Sequence, residues 1–263
     1  MKNLHRCVGF ILGLLWLLIA GVAKAGDYEI IMGKGEELCE ACLRNLLRQT
    51  AEEAVCDRRY APELGFGQPD WNVLDLEKQV ELYKRVANLV IQGKEEGKEG
   101  VPQPNLRIPK EHDEFIRVTR QTRTTLSAAN IDIDNDGQLD RVLKYQSGNC
   151  EKNFHGYYPG LYKSALVVVV GDQRAIDYPK SDPLTQAPLL EDTKAKYKDK
   201  WRIGVSHFRM YQVFTYRGLV YFDLWDGSGG PDTNTLSIYE AKQGQARKVC
   251  QISLFPAGDV PHN

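Results

Sequence analysis

N-I-D-I-D-N-D-G-Q-L-D, residues 130–140, carries Asp132, Asp134, Asp136 and Asp140 within nine positions, with Gly137 able to supply a sharp turn. Four carboxylates that close repel one another and destabilise a compact loop unless a hard cation with oxygen ligands sits among them. The residue types therefore ask for calcium. Downstream, Leu139, Leu143 and Tyr145 alternate as a strand does. The stretch reads as the tip of a β-hairpin, and that reading assigns the rest of the C-terminal region to antiparallel sheet.

Outward from the loop, β-branched and aromatic residues dominate from about Phe115. They predict strands over 116–128, 139–146, 164–170, 210–216, 219–224, 235–241 and 246–254. Arg217-Gly218 and Gln243-Gly244 fall between strands as two-residue turns. The run V-V-V-V at 167–170 is apolar on both faces and belongs inside a sheet. Short strands joined by turns imply an antiparallel domain over 113–263.

Toward the N-terminus the period changes. Leu38, Cys42 and Leu46, with Cys39, Leu43 and Leu47, recur at intervals of three and four behind Glu36 and Glu37, which predicts a helix ending near Cys56. A loop with Pro62, Gly65, Gly67 and Pro69 follows, and Leu76, Val80, Tyr83, Ala87 and Val90 mark a second helix opening at Asp70. The expected class is α+β: an N-terminal helical hairpin over 26–92, a linker over 93–112 rich in glycine, charge and proline, and the antiparallel β domain with its calcium-binding hairpin loop.

The first 25 residues order as basic, apolar and small, ending A-K-A at 23–25, and predict a secretory signal peptide with cleavage after Ala25. No later run approaches the roughly 20 apolar residues needed to span a bilayer, so no membrane span is expected after cleavage. The whole chain carries 34 basic and 35 acidic residues. Removing Lys2, Arg6 and Lys24 leaves 31 basic against 35 acidic, a net charge of −4, which offers no electrostatic argument for nucleic acid or an anionic membrane as partner. The expected location is periplasmic or secreted. There, Cys39, Cys42, Cys56, Cys150 and Cys250 should mostly pair, and five cannot all pair within one chain. Spacing favours Cys39 with Cys56 and Cys150 with Cys250, leaving Cys42 over; other connectivities stay open.

The loop D-I-D-N-D-G-Q-L-D resembles the D-x-D-x-D-G-x-x-D calcium loop of EF-hands, dockerins, thrombospondin repeats and integrin-type propellers. The resemblance covers nine residues. It implies side-chain ligation by Asp132, Asp134 and Asp136, the backbone carbonyl of Gln138, and Asp140 directly or through water. The twelfth position, glutamate in an EF-hand, is Leu143 here. The exiting helix then loses its reason, the hairpin is preferred, and binding in the range of about 10⁻⁴ to 10⁻³ M is expected. Residues 39–83, with C-E-A-C-L-R-N-L, C-D-R-R and P-D-W-N-V-L-D-L, are similar to a group of uncharacterised exported proteins of Gram-negative bacteria, which lends architecture and no activity.

Other chemistry is weaker. Cys39-Glu-Ala-Cys42 at a helix start has redox spacing, but Glu36, Glu37 and Glu40 oppose a thiolate. The histidines at 112, 155, 207 and 262 lack zinc-ligand spacing, and Ser228 lacks the glycine that a nucleophile elbow needs at 226. The aromatics between Phe208 and Trp225 read as core. The expectation is an exported calcium-binding protein that binds an unknown partner of the cell envelope, with an enzymatic role left open by the sequence. A calcium-braced hydrolase using Asp223, Asp226, His155 or His207, and a thiol-redox protein using Cys39 and Cys42, are the alternatives.

Overall fold

In the computed structural model, residues 27–92, 108–148, 150, 163–171, 175–184, 209–226, 235–242 and 244–255 are described. Eleven strands lie among them: β1 (Asp27–Met32), β2 (Phe66–Gly67), β3 (Asn72–Val73), β4 (Thr125–Ile131), β5 (Asp140–Ser147), β6 (Lys163–Val170), β7 (Ala175–Ile176), β8 (Arg209–Tyr216), β9 (Leu219–Asp226), β10 (Thr235–Lys242) and β11 (Gln245–Phe255). They form two antiparallel sheets, ordered β1-β11-β10-β9-β8-β2 and β3-β4-β5-β6-β7, and one of the two is a half-barrel.

Period-two alternation sends successive side chains of a strand into different cores. Val213, Val220, Phe222 and Leu224 of the first sheet meet Ile131, Val142, Leu166 and Val168 of the second, so the sheets pack face to face. On its other face the first sheet presents Met210, Phe214, Trp225 and Ile252 to helices α1 (Glu37–Leu46) and α2 (Ala51–Cys56). The second sheet presents Leu126, Leu143, Tyr145 and Val167 to α3 (Val80–Ala87) and α4 (His112–Gln121). The layers run helix, sheet, sheet, helix.

This overturns the expected α+β class and its N-terminal helical hairpin: two antiparallel sheets dominate the described residues and the helices among them are few. Within this set α1 and α2 share their core with one sheet, while α3 shares its core with the other. An apolar helical stripe of this width can be buried by a sheet as well as by a helix. Long-range pairing decides between them. Strand β1 lies beside β11, so α1 is delivered onto the first sheet, and the connection from α2 to α3 gives β2 to β8 and β3 to β4. The chain turns between α1 and α2 because Thr50 caps the second helix: its hydroxyl accepts from the Glu53 N–H while Glu53 Oε2 accepts from the Thr50 N–H at 2.9 Å. That capping box, T-A-E-E, is visible in the sequence.

Two further boundaries move. The stretch from Asp70 contributes β3 before Asp75 accepts from the Glu77 N–H at 2.9 Å and leads into α3. Residues 112–121, placed in the linker and first strand, are helix α4, with Phe115 and Thr119 four apart on its buried face. Strands β5, β6 and β8 to β11 fall where the sequence puts them, the short β7 is not among the expected strands, and Arg217 and Gly218 both take positive φ (50° and 84°), as a tight hairpin turn requires. Strand β6 has neighbours on both sides. The signal segment 1–25 and linker residues 93–107 lie outside the described residues, and no described helix is long and apolar enough to cross a membrane.

The expected four cysteines form two disulfides, but with exchanged partners: Cys39–Cys250 and Cys56–Cys150, with Cα–Cα distances of 5.6 and 5.5 Å. The pairing differs because α1 rests on β11, which brings Cys250 over to Cys39. Cys56, at the end of α2, is left to meet Cys150 beyond β5. Cys42 is free and buried, and burial pushes its thiol well above the usual range. Two disulfides are consistent with an oxidising, extracytoplasmic location.

Candidate metal centre

The loop between β4 and β5 folds around Asp132. Its two carboxylate oxygens accept from the N–H groups of Asp136 and Gly137, both at 2.9 Å, while Asp136 Oδ1 accepts from the Gln138 N–H at 2.8 Å. The backbone takes left-handed φ at Asn135 (55°) and Gly137 (89°), residue types that tolerate it. Each turn is thus made by the residues that supply or flank the oxygen donors. One ligand atom from each of Asp132, Asp134 and Asp136 lies within 4.8 Å of the others, an all-oxygen set that suits a hard cation.

The hairpin tip is tied to the first sheet. Asn135 Nδ2 donates to the Val220 carbonyl at 3.0 Å and its Oδ1 accepts from the Val220 N–H at 2.8 Å, while Ile131 and Ile133 are buried between the sheets. Replacing Asn135 with alanine removes both bonds and leaves a β-carbon at positive φ without a compensating contact. The expected loss is about 2–3 kcal/mol, measured by urea unfolding; Asn135→Gly, which tolerates the φ, should lose less.

Asp140 joins the cluster through a lysine 40 positions away. Lys180 Nζ lies 2.8 Å from Asp140 Oδ1, 3.1 Å from Asp134 Oδ2 and 3.4 Å from Asp136 Oδ2. Partial burial works against its charge, but the hydrogen bonds to Asp140 and Asp134 outweigh it and hold the ammonium above its ordinary pKa. The Gln138 N–H keeps the Asp136 carboxyl low. Burial pushes Asp140 up despite Lys180, with the neighbouring Asp134 acting in the same direction. Asp134 Oδ1 and Asp140 Oδ2 are shut off from solvent and have no hydrogen-bond partner among the described residues, a cost that a bound cation would relieve. Gln138 lies in the loop with its N–H engaged as above. Lys180 escaped sequence reasoning because no spacing rule links it to the loop.

Of the other candidates, the described ones lie in the core or in a disulfide. Asp223 is fully buried, bridged to Arg58 through both carboxylate oxygens and bonded to the Tyr60 hydroxyl. It belongs to the core under α2, and no substrate reaches it. His155, His207, Ser228 and the side chain of Asp226 lie outside the described residues. Cys39 is occupied by Cys250. Phe214 stacks on Tyr60 with centroids 4.1 Å apart and Phe222 on Tyr239 at 5.2 Å, so these aromatics are core. Among the described residues, the three loop aspartates are the one convergent group of potential metal-ligating side chains.

No family model, curated protein or solved structure matches this chain.

Proposed function

We propose that this is an exported calcium-binding protein of the periplasm or extracellular space, whose ion braces the β4–β5 tip and which acts by binding a partner of the cell envelope. The observation that carries the calcium reading is the convergence of Asp132, Asp134 and Asp136 in a loop whose Asp134 and Asp140 keep buried, unpaired oxygens. The ligands on this reading are those three carboxylates, the Gln138 carbonyl and Asp140. The donor chemistry selects calcium over zinc or copper because it contains neither nitrogen nor sulfur. A structural role fits the placement: the tip is fastened to β9 through Asn135, and stiffening it holds the β4–β5 hairpin against the facing sheet. The buried, ion-paired state of Asp223 removes one of the acids that a hydrolase would use.

Calcium at 10 mM should stabilise the mature chain by about 1.4–2.7 kcal/mol if the dissociation constant is about 10⁻³ to 10⁻⁴ M. Thermal unfolding with calcium and again with chelator measures this directly. Identical melting curves would sink the calcium reading. Capture of envelope components on the immobilised mature chain, with the same two buffers, tests the binding role.

A further inference from the structure

Resting on the calcium reading, the geometry points to Lys180 as an internal counter-ion that occupies the acidic centre when calcium is absent and must leave it when calcium enters, so that it sets the affinity of the site. The ammonium contacts Asp134, Asp136 and Asp140, and Asp134 and Asp136 also belong to the triad whose oxygens converge. An ion ligated by Asp134 Oδ2, Asp136 Oδ2 or Asp140 Oδ1 takes oxygens that the ammonium holds, and the like charges of an ammonium and a dication repel within one centre.

The lysine is delivered by a fixed backbone. The helical turn 178–184 begins at Asp177, whose Oδ1 accepts from the Lys180 N–H at 3.1 Å. Ser181 Oγ accepts from the Val168 N–H at 2.9 Å and donates to the Val168 carbonyl at 3.2 Å, fastening the turn to β6. What remains free to move is the four-carbon stem of Lys180, whose side chain is a quarter exposed. Swinging it toward solvent costs only the ion pairs it makes.

The ammonium also fills the centre incompletely. It carries one charge and three hydrogens, and Asp134 Oδ1 and Asp140 Oδ2 remain unpaired beside it. A divalent cation taking six to eight oxygens engages donors that lysine leaves idle. Lysine therefore lowers the repulsion that would open an ion-free loop, yet yields to calcium once the ion is abundant. A centre nine-tenths occupied by lysine loses about tenfold in apparent affinity.

Calcium titration calorimetry on the full mature chain, for the native protein, Lys180→Met and Lys180→Arg, tests the exchange. Lys180→Met keeps the stem and removes the charge; it should bind calcium about tenfold more tightly and melt earlier than the native protein in chelator. Lys180→Arg should stay near native affinity. Equal affinity for the native and Met proteins, or weaker binding by the Met protein, overturns the exchange and leaves the calcium reading standing. Absence of binding in all three overturns both. Binding by the Met protein alone supports the exchange and removes calcium as the native ion. Lys180→Gln replaces the Met variant if that protein does not melt cooperatively.

Discussion

Asp223→Ala is expected to lower unfolding stability by about 3–5 kcal/mol. The carboxylate lies 165 positions from Arg58, and both side chains are wholly buried. Arg58 Nε donates to Asp223 Oδ2 at 3.0 Å, the second nitrogen bonds Oδ1, and the third bonds the Ala54 carbonyl. Tyr60 donates its hydroxyl to Asp223 and the Gln212 N–H donates at 3.2 Å. Burial alone would drive the arginine toward neutrality, yet the neighbouring carboxylate keeps it firmly charged. Burial, and then Asp223, raise the Tyr60 hydroxyl well above its usual range, so it remains a donor. Truncating Asp223 strands a buried guanidinium and a buried phenol at once. A paired replacement, Arg58→Met with Asp223→Leu, removes both charges and should cost far less, because desolvation of the pair offsets most of its attraction. Guanidinium unfolding of the three proteins checks this. A loss under 1 kcal/mol for Asp223→Ala would mean that water reaches Arg58 and that the cluster is not sealed.

The second large effect is loss of the Cys39–Cys250 bridge, at about 2–5 kcal/mol. The bridge spans 211 positions and encloses Cys56–Cys150, which spans 94. With the inner bridge intact the outer ring closes through roughly 120 residues, for which chain entropy alone gives about 5 kcal/mol, an upper value. It also fastens α1 to β11 at the one place where the first and last described strands, β1 and β11, pair. The variant to measure is Cys39→Ala with Cys250→Ala, since a lone Cys39 would sit three residues from the free Cys42 and invite a non-native bridge. Its denaturation midpoint should fall, with a steeper slope because the unfolded chain, freed of the cross-link, exposes more surface. An unchanged midpoint would show that sheet pairing holds the ends without help.

The two predictions concern groups that sequence reading did not bring together, whereas the convergence of Asp132, Asp134 and Asp136 in one acidic loop was legible in the sequence. Asp132, Asp134, Asp136 and Gly137 act over a few bonds, and the oxygens and turns they need are supplied by their immediate neighbours. The later strands were legible for the same reason, because a period of two is a property of the backbone itself. Counting left one cysteine over, but the spacing that made it Cys42 rested on Cys39–Cys56 and Cys150–Cys250, pairs that the structure replaces.

By itself, then, the sequence determined the β character of the C-terminal half, the acidic hairpin tip, and that one of the five later cysteines must stay unpaired within the chain. Only the tertiary structure decided that α1 and α2 cover one sheet while α3 covers the other, that Cys39 meets Cys250, that Arg58 meets Asp223, and that Lys180 enters the acidic loop. The physical reason is that apolar burial has no direction. A helical stripe is satisfied by any apolar face of suitable width, so strand order between distant segments makes the choice, and the buried ionic and sulfur contacts follow from it.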